Sequence, residues 1–277
     1  MIMNRGVKMI SGIKAVIIKN RLIVKRAYPW TFVTSRIIGG IFSMAIPILL
    51  YYSVFNTEVS GAFIKYAHGC DYLTYLMIGQ VLNVLSFSTL MSVGRCLITE
   101  QREGTLDNIL LSPVSRVGYF VGTYIEQFGR SIFESAFVVL FGVIVGARIP
   151  FDSIPIILLC IFFSSLTFFS MSIMVSTIMI YTRDTYLVQN TFYLLMSCIC
   201  GVAFPIEYLP KGLQLLSDIF PLTYAIKITR LCSLGIIQIQ AYFDPIVKLV
   251  ALSFLYFLLG YYGFRIHEKK LIEDVLA

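Results

Sequence analysis

Charge is what this sequence has least of. Only 13% of its 277 residues are Asp, Glu, Lys or Arg, and 58% are hydrophobic, where a soluble domain carries about a quarter charged residues. With a mean hydropathy of +0.83 and no polar half standing apart, this scarcity excludes a water-soluble fold and predicts one membrane domain with short polar extensions. Histidine is almost missing. His68 and His267 fall in polar segments far apart in the chain, so no histidine-based metal site or nucleophile constellation is available. Cysteines are present, but Cys70, Cys96, Cys160, Cys198, Cys200 and Cys232 lack the paired CxxC spacing of zinc or redox sites, and no metal is expected. Cys70 and Cys232 are both predicted on the outer side, either bridged or as two free thiols.

The charges that remain are unevenly placed. The net charge is +7, and Arg5, Lys8, Lys14, Lys19, Arg21, Lys25 and Arg26 all precede the first long apolar run. Bases in that position face the anionic inner leaflet and set topology, so the excess points to a lipid bilayer and not to nucleic acid. Residues 7 to 27 alternate these bases with Val7, Ile10, Ile13, Val16, Ile17, Leu22 and Val24, the pattern of an amphipathic interfacial helix within a cytoplasmic N-terminus, residues 1–29. A cleavable signal peptide is rejected because the bases are spread too widely and no small-residue cleavage site is evident.

Apolar runs then recur. Spans are predicted at Trp30–Phe55, Tyr72–Ile98, Val117–Val145, Ile156–Tyr181, Tyr186–Phe204 and Ile246–Arg265, each tested against the ~20 residues a helix needs to cross a ~30 Å hydrocarbon layer. Asn56 to Asp71 reads as a polar outer loop, residues 99 to 116 as a polar cytoplasmic one, and residues 205–240 as too broken by Pro205, Pro210 and Pro221 to cross, dipping in from outside instead. About fourteen Lys/Arg then fall inside and about five outside, the bias that positive charge imposes on topology. The expected fold is an all-α integral membrane protein with a six-helix domain over 30–265, a cytoplasmic tail at 266–277 and both termini in the cytoplasm.

Three groups of residues carry chemistry. Between spans two and three, Thr105 is a plausible N-cap with Asp107 in the first turn, and Leu106, Ile109 and Leu110 share one face, giving a short amphipathic helix stopped before Pro113. The alternatives are a partner-docking plug and an ordinary charged loop. In span three, Glu126, Arg130 and Glu134 at i, i+4 and i+8 share a face. Charges at that depth are costly unless paired or wet, so they form either a compensated ladder at a helix interface or the lining of a translocation path. Hydroxyl residues gather in span two (Asn83, Ser86, Ser88, Thr89, Ser92) and span four (Ser164, Ser165, Thr167, Ser170, Ser172, Ser176, Thr177), for helix packing or for a wet passage. Gly118-x-x-x-Gly122 and Gly142-x-x-x-Gly146 permit close helix approach, and Pro47 suggests a kink.

The run Glu100-Gln101-Arg102-Glu103-Gly104-Thr105-Leu106-Asp107-Asn108-Ile109-Leu110-Leu111-Ser112-Pro113 resembles the cytoplasmic signature of ABC-2 type transporter permeases, with Asp107 in place of the usual glutamate. Phe204-Pro205-Ile206-Glu207-Tyr208-Leu209-Pro210, followed by Phe220-Pro221-Leu222-Thr223-Tyr224-Ala225 and Arg230, is similar to that family's outer re-entrant hairpin. With the basic start and six-span layout, the resemblance covers essentially the whole chain. It implies a permease that pairs with a second permease subunit, as a homo- or heterodimer in the cell membrane, and with separate ABC ATPase subunits that bind ATP and Mg²⁺. It also implies that Glu100 to Leu111, with 100–113 as the coupling helix, seats on the ATPase while the 7–27 helix lies beside it. The residues agree on one point: nothing matches G-x-x-x-x-G-K-[ST], the loop that holds nucleotide phosphates, so no enzymatic activity and no cofactor are expected in this chain. Amphiphilic drugs, lipids and lipid-linked glycans are the cargo classes that fit. The rival readings are an ATP-independent secondary transporter or channel and, further off, an intramembrane enzyme, which lacks a catalytic dyad here.

Overall fold

Long apolar runs become long helices, because a backbone in lipid must satisfy its own hydrogen bonds. The computed structural model describes residues 2–27, 31–53, 61–112, 115–149, 151–182, 184–235 and 239–276, and every regular element among them is helical. In chain order these are α1 (Ile2–Ala27), α2 (Thr31–Ser53), α3 (Gly61–Tyr66), α4 (Tyr72–Thr89), α5 (Cys96–Arg102), α6 (Leu106–Leu111), α7 (Arg116–Val145), α8 (Ile154–Thr182), α9 (Thr185–Ile199), α10 (Lys211–Ser217), α11 (Pro221–Ser233) and α12 (Ile239–Leu276). Five are long and apolar enough to cross a membrane: Thr34–Ser53, Tyr72–Arg102, Arg116–Val145, Ile154–Thr182 and Gln240–Ile266. The predicted fifth span is the exception. Its helix α9 has 15 residues, about 22 Å at ~1.5 Å per residue. Trp30, the start of the first predicted span, and Pro113, expected to stop the coupling helix, lie outside the described residues.

The helix of the second span is the axis of the bundle. Most of it is buried, whereas α2 is largely peripheral. It is not a plain α-helix: a π-helical turn at Leu90–Gly94 joins α4 to α5, one wider turn that re-aims the residues beyond it. Helix α7 lies antiparallel to this axis, since Met77 meets Gly142, Ser88 meets Glu134 and Glu100 meets Tyr119. Of the two glycine pairs, Gly122 admits α1, because a Cβ there would sit 2.9 Å from Val16 Cβ, and Gly142 admits α4, because a Cβ would sit 2.8 Å from Met77 Sδ. Gly146 does something else. At φ 116° it occupies the left-handed region and ends α7, its amide bonded to the Gly142 carbonyl at 3.1 Å.

Helices α8 and α12 run parallel in a close contact built from small residues. A Cβ on Gly260 would lie 2.7 Å from the Met174 amide, and one on Gly263 would lie 2.8 Å from Thr177 Cγ2. The span-four hydroxyls answer their alternatives here: Ser170 meets Ser253 at 3.1 Å, Thr177 donates to the Gly260 carbonyl at 3.3 Å, Ser165 meets the Tyr124 hydroxyl at 2.6 Å, and Ser172 donates to the Phe168 carbonyl at 2.7 Å. They serve packing, the usual work of hydroxyls at membrane helix contacts. Helix α2 continues through Pro47.

The outer-loop expectation is corrected in part. Within Asn56–Asp71, residues 61–66 form α3, and Phe63 and Ala67 are buried against Tyr72 and Tyr75. Two aromatic edges give this segment a small core of its own, which polarity alone does not reveal.

Candidate functional site

At the end of the bundle that carries α5 and α6, the chain turns on Gly104, whose φ of 69° suits glycine. The predicted single coupling helix is therefore two short helices, α5 and α6, separated by that turn. Thr105 precedes α6, but its side chain makes no cap bond. Its hydroxyl donates to the Glu100 carboxylate. Glu100 itself points inward at 5% exposure, accepting from Lys19 Nζ of α1, from Thr105 and, at 3.0 Å, from the Tyr119 hydroxyl of α7. One carboxylate thus ties four elements together. Leu106 is also buried, beside Val16, Leu97, Tyr119 and Phe120. Arg102, Glu103, Gly104 and Asn108 are exposed and Ile109 is half-buried. The side chains of Asp107 and Leu110 lie outside the described ones.

Midway along α7, the expected three-residue ladder is two separate pairs. Arg130 binds Glu126, one turn away. Glu134 turns to α2, where Arg36 Nε lies 3.1 Å from its carboxylate, and Ser88 of α4 donates to it at 2.6 Å. Arg36 also donates to Ser88. Spacing along one helix cannot reveal a partner on another helix, although Arg36 stands as the lone charge in α2, and a solitary charge in an apolar span signals a partner elsewhere. Two polar hollows follow one another beside this seam. One, of about 170 Å³, is lined by Arg36, Asn83, Ser88, Glu134 and Tyr193. The next, of about 210 Å³, is lined by Asn20, Arg95, Glu103, Glu126 and Arg130 below the π-turn. Ser92 donates to Gln127 between them. Among the described residues, Asn83 Oδ1 and Gln127 Nε2 are buried without a partner in the chain, as is Ser176 Oγ of α8, whereas Ser165, Ser170, Ser172 and Thr177 of α8 are bonded.

At the opposite end, the chain after α9 breaks at Gly201, whose φ is 76°. Arg230 of α11 holds the break: Nη1 donates to the Gly201 carbonyl at 2.9 Å, and Nη2 donates to the carbonyls of Tyr75 at 2.9 Å and Val202 at 3.0 Å. Its guanidinium lies 3.2 Å from the Tyr75 ring centroid, a cation–π contact. Gly79 completes the arrangement, because a Cβ there would collide with the Val202 carbonyl. Pro205 is buried before a short 3-10 turn at Ile206–Tyr208, Glu207 is exposed, Pro210 precedes α10, and Pro221 opens α11, the first helical position where a missing N–H costs nothing. Helix α11 is buried almost throughout. Of the two alternatives for Cys70 and Cys232, the bridge is set aside: Cys232 Sγ lies 3.3 Å from Cys160 Sγ, and all six cysteines are free. Burial pushes the Cys70 thiol up to about 11.

Five apolar helices of spanning length around a buried charged seam define a multi-pass α-helical membrane protein. Residues 11–232 match the ABC-2 type transporter family, and the chain belongs to it. Over 166 residues, 60% of its length, it is 21% identical to the Escherichia coli K12 protein named "Probable multidrug ABC transporter permease YbhR", and equally to the protein of that name in Escherichia coli O157:H7. The match covers 45% of those proteins, so the chain spans less than half the length of the curated relatives it matches.

Proposed function

We propose that this chain is the permease subunit of an ABC exporter, driven by separate ATPase subunits that bind ATP and Mg²⁺. It works in the plasma membrane as a dimer with a second permease subunit. In this reading the ends of α1 and α12 and the α5–α6 turn are cytoplasmic. Helix α9 and the non-helical stretch after it together make a sixth span, and α10 and α11 are the outer re-entrant hairpin. The exposed side chains Arg102, Glu103 and Asn108 meet the ATPase, while Glu100 acts behind them as an anchor.

The observation that carries this reading is the Glu100 node. A push on the α5–α6 turn is not absorbed by a loose loop, because the buried carboxylate joins that turn to α1 and α7. Motion of the partner therefore passes to the helix that holds the Glu126–Arg130 and Glu134–Arg36 pairs. The polar hollows beside those pairs suit a cargo with scattered polar groups, and the naming of the relatives favours amphiphilic drugs over lipids or lipid-linked glycans.

Cysteines introduced at Glu103 and Asn108 test the proposal. Bifunctional cross-linking in native membranes is expected to join both positions to an ATPase chain, and reconstituted transport is expected to require that chain and ATP. Transport by the permease alone would favour an ATP-independent carrier, and labelling of Glu103→Cys only from outside the cell would overturn the topology.

A further inference from the structure

Where α7 begins, its first turns stand beside α8 and α12 around a groove of about 290 Å³. Its walls are hydrocarbon and aromatic: Phe120 from α7, Phe169 and Ile173 from α8, Phe257 and Phe264 from α12. The floor is fixed. Phe120 and Phe264 meet edge to face at 5.7 Å, Tyr124 braces Phe169 at 4.7 Å, and Gly260 lets α12 sit directly on Ile173. All three helices are of membrane-spanning length and composition, so the groove faces acyl chains and not water.

Its rim is of a different kind. Arg116, the first residue of α7, and Arg265, near the end of the apolar part of α12, stand at the same end of the groove, and among the described residues no carboxylate lines it. A bare apolar groove in lipid fills with any chain. One closed by two guanidinium groups at headgroup level selects a phosphate with uncompensated negative charge, since basic pockets between membrane helices near the surface bind anionic headgroups and guanidinium matches phosphate through paired donors. The positive end of the α7 dipole adds to the same field.

We propose that this groove is a binding site for an anionic phospholipid, with one acyl chain against Phe120, Phe169 and Phe257 and the phosphate between Arg116 and Arg265. The leaflet, the inner one, rests on the topology proposed above; the site itself does not. Arg116 also reaches the Ile109 carbonyl of α6 at 3.5 Å, so the bound headgroup shares a side chain with the α5–α6 turn.

The test uses purified full-length chain equilibrated in detergent with equal amounts of phosphatidylglycerol and phosphatidylcholine, and native mass spectrometry to count retained lipids. The wild type is expected to keep phosphatidylglycerol preferentially, with the preference falling roughly fivefold for each of Arg116→Gln and Arg265→Gln. A phosphatidylglycerol with a diazirine in its acyl chain is expected to label Phe257 or Tyr261. Equal retention of the two lipids by the wild type, an unchanged preference in Arg265→Gln, whose exposed side chain is not needed for folding, or labelling confined to other helices would each overturn the site. None of these readouts involves an ATPase, so their failure leaves the transport proposal standing.

Discussion

The α8–α12 contact and the seam between α2, α4 and α7 are both rich in polar side chains, yet they spend them differently. In the first, neutral hydroxyls bond to carbonyls or to each other, glycines bring the backbones together, and nothing charged intervenes. In the second, Arg36, Glu126, Arg130 and Glu134 meet in pairs beside two hollows, with Asn83 and Gln127 each leaving a buried atom without a partner in the chain. A close-packed, satisfied contact has one arrangement and moves as a unit. A seam of charge pairs beside hollows has alternatives within reach. The difference assigns rigidity to the first region and rearrangement to the second.

That assignment is broken most readily at the tight contact. Gly260→Leu forces a side chain into the Met174 backbone and is expected to prevent α8 and α12 from docking, so that no monodisperse protein survives size-exclusion chromatography. If such protein survives with wild-type unfolding behaviour, the contact is not the rigid unit described.

The seam gives the next largest effects. Glu134→Ala leaves Arg36 with Ser88 but without its carboxylate, a loss of about 3–5 kcal/mol for a buried pair broken on one side. Arg130→Ala removes the partner of Glu126 alone, and because Arg130 is partly exposed its cost is expected to be smaller, about 1–2 kcal/mol. Urea unfolding in micelles orders the two, and the double variant Arg36→Gln/Glu134→Gln is expected to recover part of the loss. If Arg130→Ala proved the worse of the two, the three charges would act as one ladder after all.

The smallest change sharpens the contrast. Ser170→Ala removes one hydroxyl pair from α8–α12 and is expected to cost about 0.6 kcal/mol, the average for such bonds in a membrane protein, with transport unchanged. A transport defect without a stability change would place this interface on the cargo path instead.

Much of the fold is legible in the order of residues. The apolar runs mark all five helices of spanning length, four of them within a few residues at each end, the seven early bases fall in α1, whose Lys19 bonds Glu100, and Arg230, grouped by sequence with Phe204–Pro210, reaches back to Gly201 and Val202 just before that run. What stays hidden has physical causes. The apolar run of the fifth span outlasts its helix because Cys200, Val202 and Phe204 continue it past Gly201, where the chain breaks. Helix α3 is concealed because it is only six residues long and buries a single side chain, Phe63, too short a run to show a helical period. The π-turn has no compositional mark, since Leu90 to Gly94 read as ordinary apolar helix.

The amino-acid order by itself determined that this chain belongs in a bilayer, where its long helices run, and which short polar turn breaks the pattern between the second and third of them. Those are properties of transfer free energy and of local backbone preference, both written in neighbouring residues. Only the tertiary structure decided that Glu134 answers to Arg36 and not to Arg130, that Glu100 faces inward to Lys19 and Tyr119, and that Arg230 reaches back to Tyr75. A charge in a low-dielectric interior takes the nearest partner in space, and distance in space is fixed by how the helices pack.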